Sequence, residues 1–302
     1  MPYRRKYPVR RRLTSKRRSY AARRPRRSYA GKRRSYTKRP RTPKAILNLT
    51  SKKKCDTMLN STNITAATPT GSSTFNTTPA VLNADNLYVI PWIPTARPAL
   101  LNGALAAPID AATRTSSTCF MRGLKETITV STNSGAPWMW RRICFKLKGD
   151  DLTAYVDHNF TWWRATATQG VVRNLTSAYA SPSALGAIKQ FVFEGTEQFD
   201  WVDMFNAKTD SKRISVCYDR TKTFNAGNAT GVIRNMKLWH PMNKNIEYDD
   251  EEDAGEVVTQ PYSVKAKPGM GDYYVIDFFK GIGTATDLLS LSIEAKLYWH
   301  EK

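Results

Sequence analysis

Beyond about residue 118 the chain is built from short runs in which apolar and polar positions alternate, with turns rich in Gly, Asn, Asp and Pro between them. The clearest run covers 138–148. Met139, Ile143, Phe145 and Leu147 fall on one side, interrupted by Arg141, while Trp138, Trp140, Arg142, Cys144, Lys146 and Lys148 fall on the other. A period of two puts successive side chains on opposite faces of a strand. The last run has the same form: Leu291, Ile293, Ala295, Leu297 and Trp299 alternate with Ser292, Glu294, Lys296, Tyr298 and His300. Comparable runs cover 120–130, 159–165, 188–193, 213–218, 232–239 and 273–279. These runs predict an all-β fold, an eight-stranded jelly roll made of a double antiparallel sheet. Helical periodicity is scarce, and residues 181–190 and 198–207 are the places where a short helix fits.

The first 44 residues break this pattern. They are Arg, Lys, Ser, Tyr and Pro, with too few apolar side chains to offset the entropy of ordering, so the free segment is expected to be disordered. Arg17-Arg18-Ser19-Tyr20, Arg26-Arg27-Ser28-Tyr29 and Arg33-Arg34-Ser35-Tyr36 repeat one tetrapeptide at spacings of 9 and 7. Unequal spacing excludes a solenoid and leaves a flexible string of equivalent beads. Residues 45–80 read as a transition. The apolar run Ile46-Leu47-Asn48-Leu49 suggests a short strand, Lys52-Lys53-Lys54 closes the basic region, and a long Thr/Asn/Ser-rich loop follows. Residues 81–302 are then the jelly-roll domain.

Charge sharpens the division. The chain carries 47 Lys+Arg against 25 Asp+Glu, a net of +22, yet residues 1–54 hold 23 of the basic residues and no acid. Residues 55–302 hold the other 24 against all 25 acids, a net of −1. A basic arm on a neutral body is an electrostatic tether to a polyanion. Its cations, among them Arg4, Arg5, Arg10, Arg11, Arg12, Arg17, Arg18, Arg23, Arg24, Arg26, Arg27, Arg33 and Arg34, can pair with phosphates and release condensed counterions. Interleaved Tyr20, Tyr29 and Tyr36 can stack on unpaired bases, which favours single strands over duplex. The plainer alternative is a solvated nuclear-import tag, and the two readings are compatible because both use exposed Lys/Arg clusters.

On the body, Arg142, Lys146 and Lys148 share one face of the 138–148 run and suggest a basic floor beneath the arm; an ordinary solvated face is the alternative. The run Asp249-Asp250-Glu251-Glu252-Asp253 could bind a divalent cation, dock a basic segment of a neighbouring copy, or form a solvated loop. Trp162, Trp163, Trp201 and Trp239 are read as core or subunit-contact residues. Cys55, Cys119, Cys144 and Cys217 form no CxxC pair and sit near none of the three histidines, which points to inert buried thiols in a reduced compartment. No metal and no cofactor are expected, and no hydrolase, kinase or zinc-protease motif is present, so the chain is read as a non-enzyme. There is no apolar signal region and no run long enough to span a membrane. An Arg-rich, acid-free start also imitates a mitochondrial transit peptide, but Pro2, Pro8, Pro25, Pro40 and Pro43 break any amphipathic helix there.

Three segments carry a family likeness: the start Met1-Pro2-Tyr3-Arg4-Arg5-Lys6, then Cys119-Phe120-Met121-Arg122-Gly123-Leu124-Lys125-Glu126, then Trp138-Met139-Trp140-Arg141-Arg142-Ile143-Cys144-Phe145. With the acidic stretch near 249–253 and the ending Leu297-Tyr298-Trp299-His300, the chain resembles the capsid proteins of genomoviruses, small circular single-stranded DNA viruses related to geminiviruses. The resemblance implies a jelly-roll coat, about sixty copies in a closed icosahedral shell, a single-stranded DNA genome as partner, host nuclear import receptors, and a life divided between virion and host nucleus. The Cys/His cluster described in geminivirus coats is lacking, so no zinc site is carried over. The competing readings are a cellular nucleic-acid-binding structural protein with a basic tail, and an organelle-imported enzyme.

The arm's chemistry yields a test. Replacing Tyr20, Tyr29 and Tyr36 with Ala should weaken single-strand binding by at most a few kcal/mol and leave duplex binding and the salt slope nearly unchanged, as read from salt titrations on both nucleic acids. Equal loss on both would show that the rings do not stack.

Overall fold

Residues 42–101, 103–157 and 159–302 are described by a computed structural model. Eight principal strands carry the fold: β1 (Lys52–Met58), β2 (Leu87–Trp92), β3 (Thr118–Thr132), β4 (Trp138–Leu147), β5 (Ser215–Phe224), β6 (Ile233–Glu247), β7 (Asp272–Gly281) and β8 (Leu288–Glu301). The first sheet has the order β1-β8-β3-β6 and the second β5-β4-β7-β2, with every neighbour antiparallel. The chain changes sheet at every connection except β4 to β5, which lie side by side and are joined by residues 148–214. This is the double sheet of a jelly roll.

Burial follows the alternation that the sequence predicts. In β8, Leu289, Leu291, Ile293, Ala295, Leu297 and Trp299 are buried and the side chains between them reach solvent. They meet the inner face of the second sheet in two clusters. One holds Tyr88, Ile90, Trp138, Trp140 and Phe279. The other holds Trp92, Cys144, Tyr273 and Val275. A third cluster lies on the far side of the second sheet. There residues 148–214 fold back over Val89, Ile143, Phe145, Tyr274, Ile276 and Phe278, contributing Leu152, Phe160, Trp162 and the helix α2 (Pro182–Val192). The second sheet is thus covered on both faces, and the first sheet keeps its outer face open.

Between the sheets sits a closed group of four charges. Arg142 Nε donates to Asp277 Oδ1 at 2.6 Å and its Nη2 to Oδ2 at 2.8 Å, while its Nη1 binds Glu126. Arg173 donates to Glu126 at 3.2 Å and to Asp277 at 2.9 Å. Trp140 Nε1 adds a bond to Asp277 at 2.7 Å, and the Arg173 guanidinium lies 4.4 Å from the centre of the Trp92 ring. All four charged side chains are at most 1% exposed. Two cations and two anions cancel, which is what makes their burial tolerable.

Several expectations need correction. The run 188–193 is the end of α2, where Ala184, Ala187, Ile188 and Val192 are buried at helical spacing behind a Pro at the helix start. Here the alternative helix over 181–190 is the observed one. Residues 159–165 form no continuous strand; Phe160 and Trp162 instead pin a loop into the core. Residues 198–207 form turns. The Ile46–Leu49 run is not a strand but part of α1 (Pro43–Thr50), because Thr42 caps the helix by accepting from the Ala45 N–H at 3.3 Å and Pro43 presets the first turn. Lys52-Lys53-Lys54 opens β1, so the sandwich begins within the segment read as a transition. The thiol expectation holds for Cys119 and Cys144, which are buried, and fails for Cys217, which is exposed; Cys55 is half-buried. The acidic run divides. Asp250 pairs with Arg114 through two bonds of 2.6 Å, and Glu251–Asp253 forms an exposed hairpin with Glu256–Val258.

Burial alone would raise the Glu126 carboxyl, but the Arg142 guanidinium, the His240 side chain and the Arg173 guanidinium beside it together outweigh burial and hold it far below the ordinary carboxylate range. A carboxyl depressed in the folded state contributes stability that is complete above its ordinary value near 4.5 and is lost as pH falls toward the folded value. Glu126→Gln should therefore cost about 3–5 kcal/mol in urea unfolding at pH 7, because it leaves Arg142 and Arg173 under-compensated. Between pH 7 and strongly acidic conditions the variant should lose less stability than the parent chain. Equal losses would contradict this account of the four charges.

Candidate nucleic-acid interface

The strand registers arrange the open face of the first sheet in rows. Lys53, His300 and Phe120 lie abreast, then Cys55, Tyr298 and Gly123, then Thr57, Lys296, Lys125 and Trp239, then Glu294, Thr127 and Lys237. Beyond them the face turns mainly to hydroxyls and amides: Ser292, Thr129 and Asn235, then Ser290 and Ser131 beside the exposed Ile233. A bulge between Tyr298 and Trp299 leaves Arg122 as the extra residue of β3, and its Nη1 donates to Asn243 Oδ1 at 2.6 Å. One end of the face thus gathers Lys53, Arg122, Lys125, Lys237 and Lys296 against a single carboxylate in these rows, Glu294.

Aromatic rings lie among these cations. Trp239 is 50% exposed, and Ile233 at the start of β6 is exposed too, whereas Met236 and Leu238 of the same strand pack inward. Its indole rests on Gly123. A Cβ at Gly123 would stand 2.7 Å from Trp239 Cζ2 and 2.6 Å from the His240 carbonyl oxygen, so only glycine lets the ring lie down on the sheet. Tyr298 meets Trp239 edge-on, with ring centres 5.8 Å apart at 62°. Together with Lys53, Arg122, Lys125 and His300 they line an open pocket of about 300 Å³. Burial, with Lys53 and Arg122 nearby, lowers the His300 pKa from its ordinary value, so the imidazole is neutral at pH 7.

The arm joins the fold beside this pocket. Lys53 Nζ donates to the Asn48 carbonyl at 2.8 Å, which ties the end of α1 to the strand residue that lines it. Next along β1, Lys54 is buried and pairs with Glu301 at 3.1 Å, and Asp56 pairs with Arg97 at 2.7 Å. No protein-family model matches the chain, and no characterised protein matches it in sequence. The site is therefore argued from its own chemistry. Among the described residues no group of three or more His, Cys, Asp or Glu is placed to hold a metal ion.

The residues singled out in the sequence fare unequally. Arg4, Arg5, Arg10, Arg11, Arg12, Arg17, Arg18, Tyr20, Arg23, Arg24, Arg26, Arg27, Tyr29, Arg33, Arg34 and Tyr36 lie outside the described residues. The basic floor of Arg142, Lys146 and Lys148 is corrected. β4 is an interior strand with β5 and β7 on either side, and its supposed polar face points between the sheets. Arg142 is spent on Glu126 and Asp277. Lys148 donates to the carbonyls of Ala266, Lys267 and Pro268 at 2.5–3.1 Å and closes that loop. Lys146 is half-buried at the strand's end. The face that does gather cations was visible in the sequence as the polar phase of the 291–299 and 120–130 runs. Its sharpest signal was Trp239, an aromatic ring on the polar phase of its own run.

The neutral state of His300 gives a measurable consequence. Replacing Lys53 with Met or Arg122 with Gln removes a cation that opposes imidazolium formation, so the His300 pKa should rise toward its ordinary value in a proton NMR titration. An unchanged midpoint in both variants would mean that neither side chain acts on the pocket.

Proposed function

We propose that this chain is a viral coat subunit that assembles with copies of itself into a closed shell and holds a single-stranded nucleic acid within it. The supporting observation is adjacency along the chain. The arm, with 20 Lys+Arg and no acid in residues 1–44, is followed by α1 and then β1, whose Lys53 lines the pocket among the cations and exposed rings. A polyanion bound by the arm would have the cations of this face next along the chain. The nearly neutral body lets many copies pack together without strong mutual repulsion. A jelly roll suits such packing, since its double sheet forms a rigid wedge with loops at both ends. That the strand is DNA, and that the shell has about sixty copies, follows from the resemblance alone. The reading assigns no catalytic residue and no cofactor. The same Lys/Arg clusters suit host nuclear import receptors.

Charge sets the load. About sixty arms bring roughly 1,200 positive charges, and a single strand carries about one negative charge per nucleotide. With small cations and the open face covering some excess, the packaged strand should lie between roughly one and three kilobases. A duplex of equal length doubles the charge and resists bending over about 50 nm. The test is negative-stain microscopy of the purified chain, followed by extraction and sizing of its nucleic acid. Closed shells of uniform diameter, holding a strand in that range that a single-strand nuclease digests, are the expected result. Dispersed monomers at all salt concentrations would overturn the proposal.

A further inference from the structure

The arm explains how a polyanion is retained, but it does not explain Trp239. A half-exposed indole, lying over Gly123, is an apolar plane held open to solvent. A second copy of the same face is a poor partner for it, because Lys53, Arg122, Lys125 and Lys296 would meet their own kind. An unpaired base fits better. It has an apolar face to stack on the ring, polar edges, and phosphates on either side.

We propose that Trp239 and Tyr298 form an arm-independent site on the folded body for one unpaired base of a single-stranded nucleic acid, with Lys53, Arg122 and Lys125 holding its flanking phosphates. The site rests on the reading of the partner as a single strand. Trp239 supplies the stacking plane, and Gly123 beneath it together with Tyr298 at its edge fixes the ring before the ligand arrives. His300, neutral at pH 7, offers one ring N–H donor and one acceptor to a base edge. A duplex has no free base face and cannot use the plane. Beyond the row of Glu294 and Lys237, the hydroxyl-bearing rows of Thr129, Ser131, Ser290 and Ser292 continue the same face without charge.

The site differs from the arm in its response to salt. Arm binding is counterion release and falls steeply as salt rises. Stacking over a few cations falls less. The experiment uses the full chain and a short oligothymidylate in which one base is photoreactive 5-iodouracil. Crosslinked peptides are mapped by mass spectrometry at low and high salt. Crosslinks are expected in the arm and in the peptides containing Trp239 and Tyr298, with the body crosslinks forming a growing share as salt rises. Trp239→Ala should reduce the body crosslinks about tenfold or more, while Trp239→Phe keeps most of them and neither change alters the arm crosslinks. Crosslinks confined to the arm would overturn the site and leave the coat reading standing. The same holds if body crosslinks are indifferent to Trp239→Ala or equal with duplex. If Trp239→Ala abolishes shells but not crosslinks, Trp239 is a copy-to-copy contact and the site is overturned. No crosslink anywhere would overturn the site and the coat reading together.

Discussion

Glu126 and Asp277 face each other across the sandwich through two shared guanidiniums, Arg142 and Arg173. Each of the four comes from a different piece of the fold: β3, β7, β4 and the long connection between β4 and β5. Moving any of these strands by one residue would turn its charge out of the group and leave the others buried and unmatched. The four charges therefore specify register as well as adhesion. Arg173 has a second consequence. It anchors the connection, and the segment Arg173–Leu175 pairs with Asn60–Thr62 just after β1. The connection thus enters the space between the sheets at Arg173 and Leu175, while Leu152, Phe160, Trp162 and α2 on either side of them cover the far side of the second sheet. Once that side is covered, the open sheet face is the one beside the arm.

How much of this was legible follows from what alternation can and cannot report. β8 and β3 have one buried and one open face, so period two read them correctly. β4 is buried on both faces, and its alternation of Trp, Arg and Cys with Met, Ile and Phe was mistaken for an inside and an outside. Adjacent Arg141 and Arg142 within such a strand were the warning, since Glu126 and Asp277 are themselves buried and supply the counter-charges of Arg142. Loop 159–165 looked like a strand because its rings must be buried, and burial of Phe160 and Trp162 does not require a ladder. α1 and α2 were decided by their first residues, Thr42-Pro43 and Ser181-Pro182, more than by their apolar spacing.

The candidate interface was half legible for a related reason. The sequence shows which cations share a phase within one run, but not which runs become neighbours. Lys53 and His300 are 247 positions apart and lie directly opposite each other. Only the sheet order β1-β8-β3 brings them beside Arg122 and Lys125. Gly123 was invisible in the sequence, because its meaning lies in what approaches it across the sheet, the His240 carbonyl and the Trp239 ring.

The root of the arm also has a mechanical side. β1 is an edge strand, zipped to β8 over the seven residues from Lys52 to Met58. Force on the arm enters at Lys52, the first of these pairs. Pulled across the sheet, such a strand peels one bond at a time, and pulled along its axis it must shear all of them at once. Just inside the entry point stand the Lys53 bond to Asn48, the buried Lys54–Glu301 pair and the Asp56–Arg97 pair. They are placed where a peel would have to start. Tension on the residues before Lys52 would therefore meet these three contacts before it reached the rest of the β1–β8 ladder.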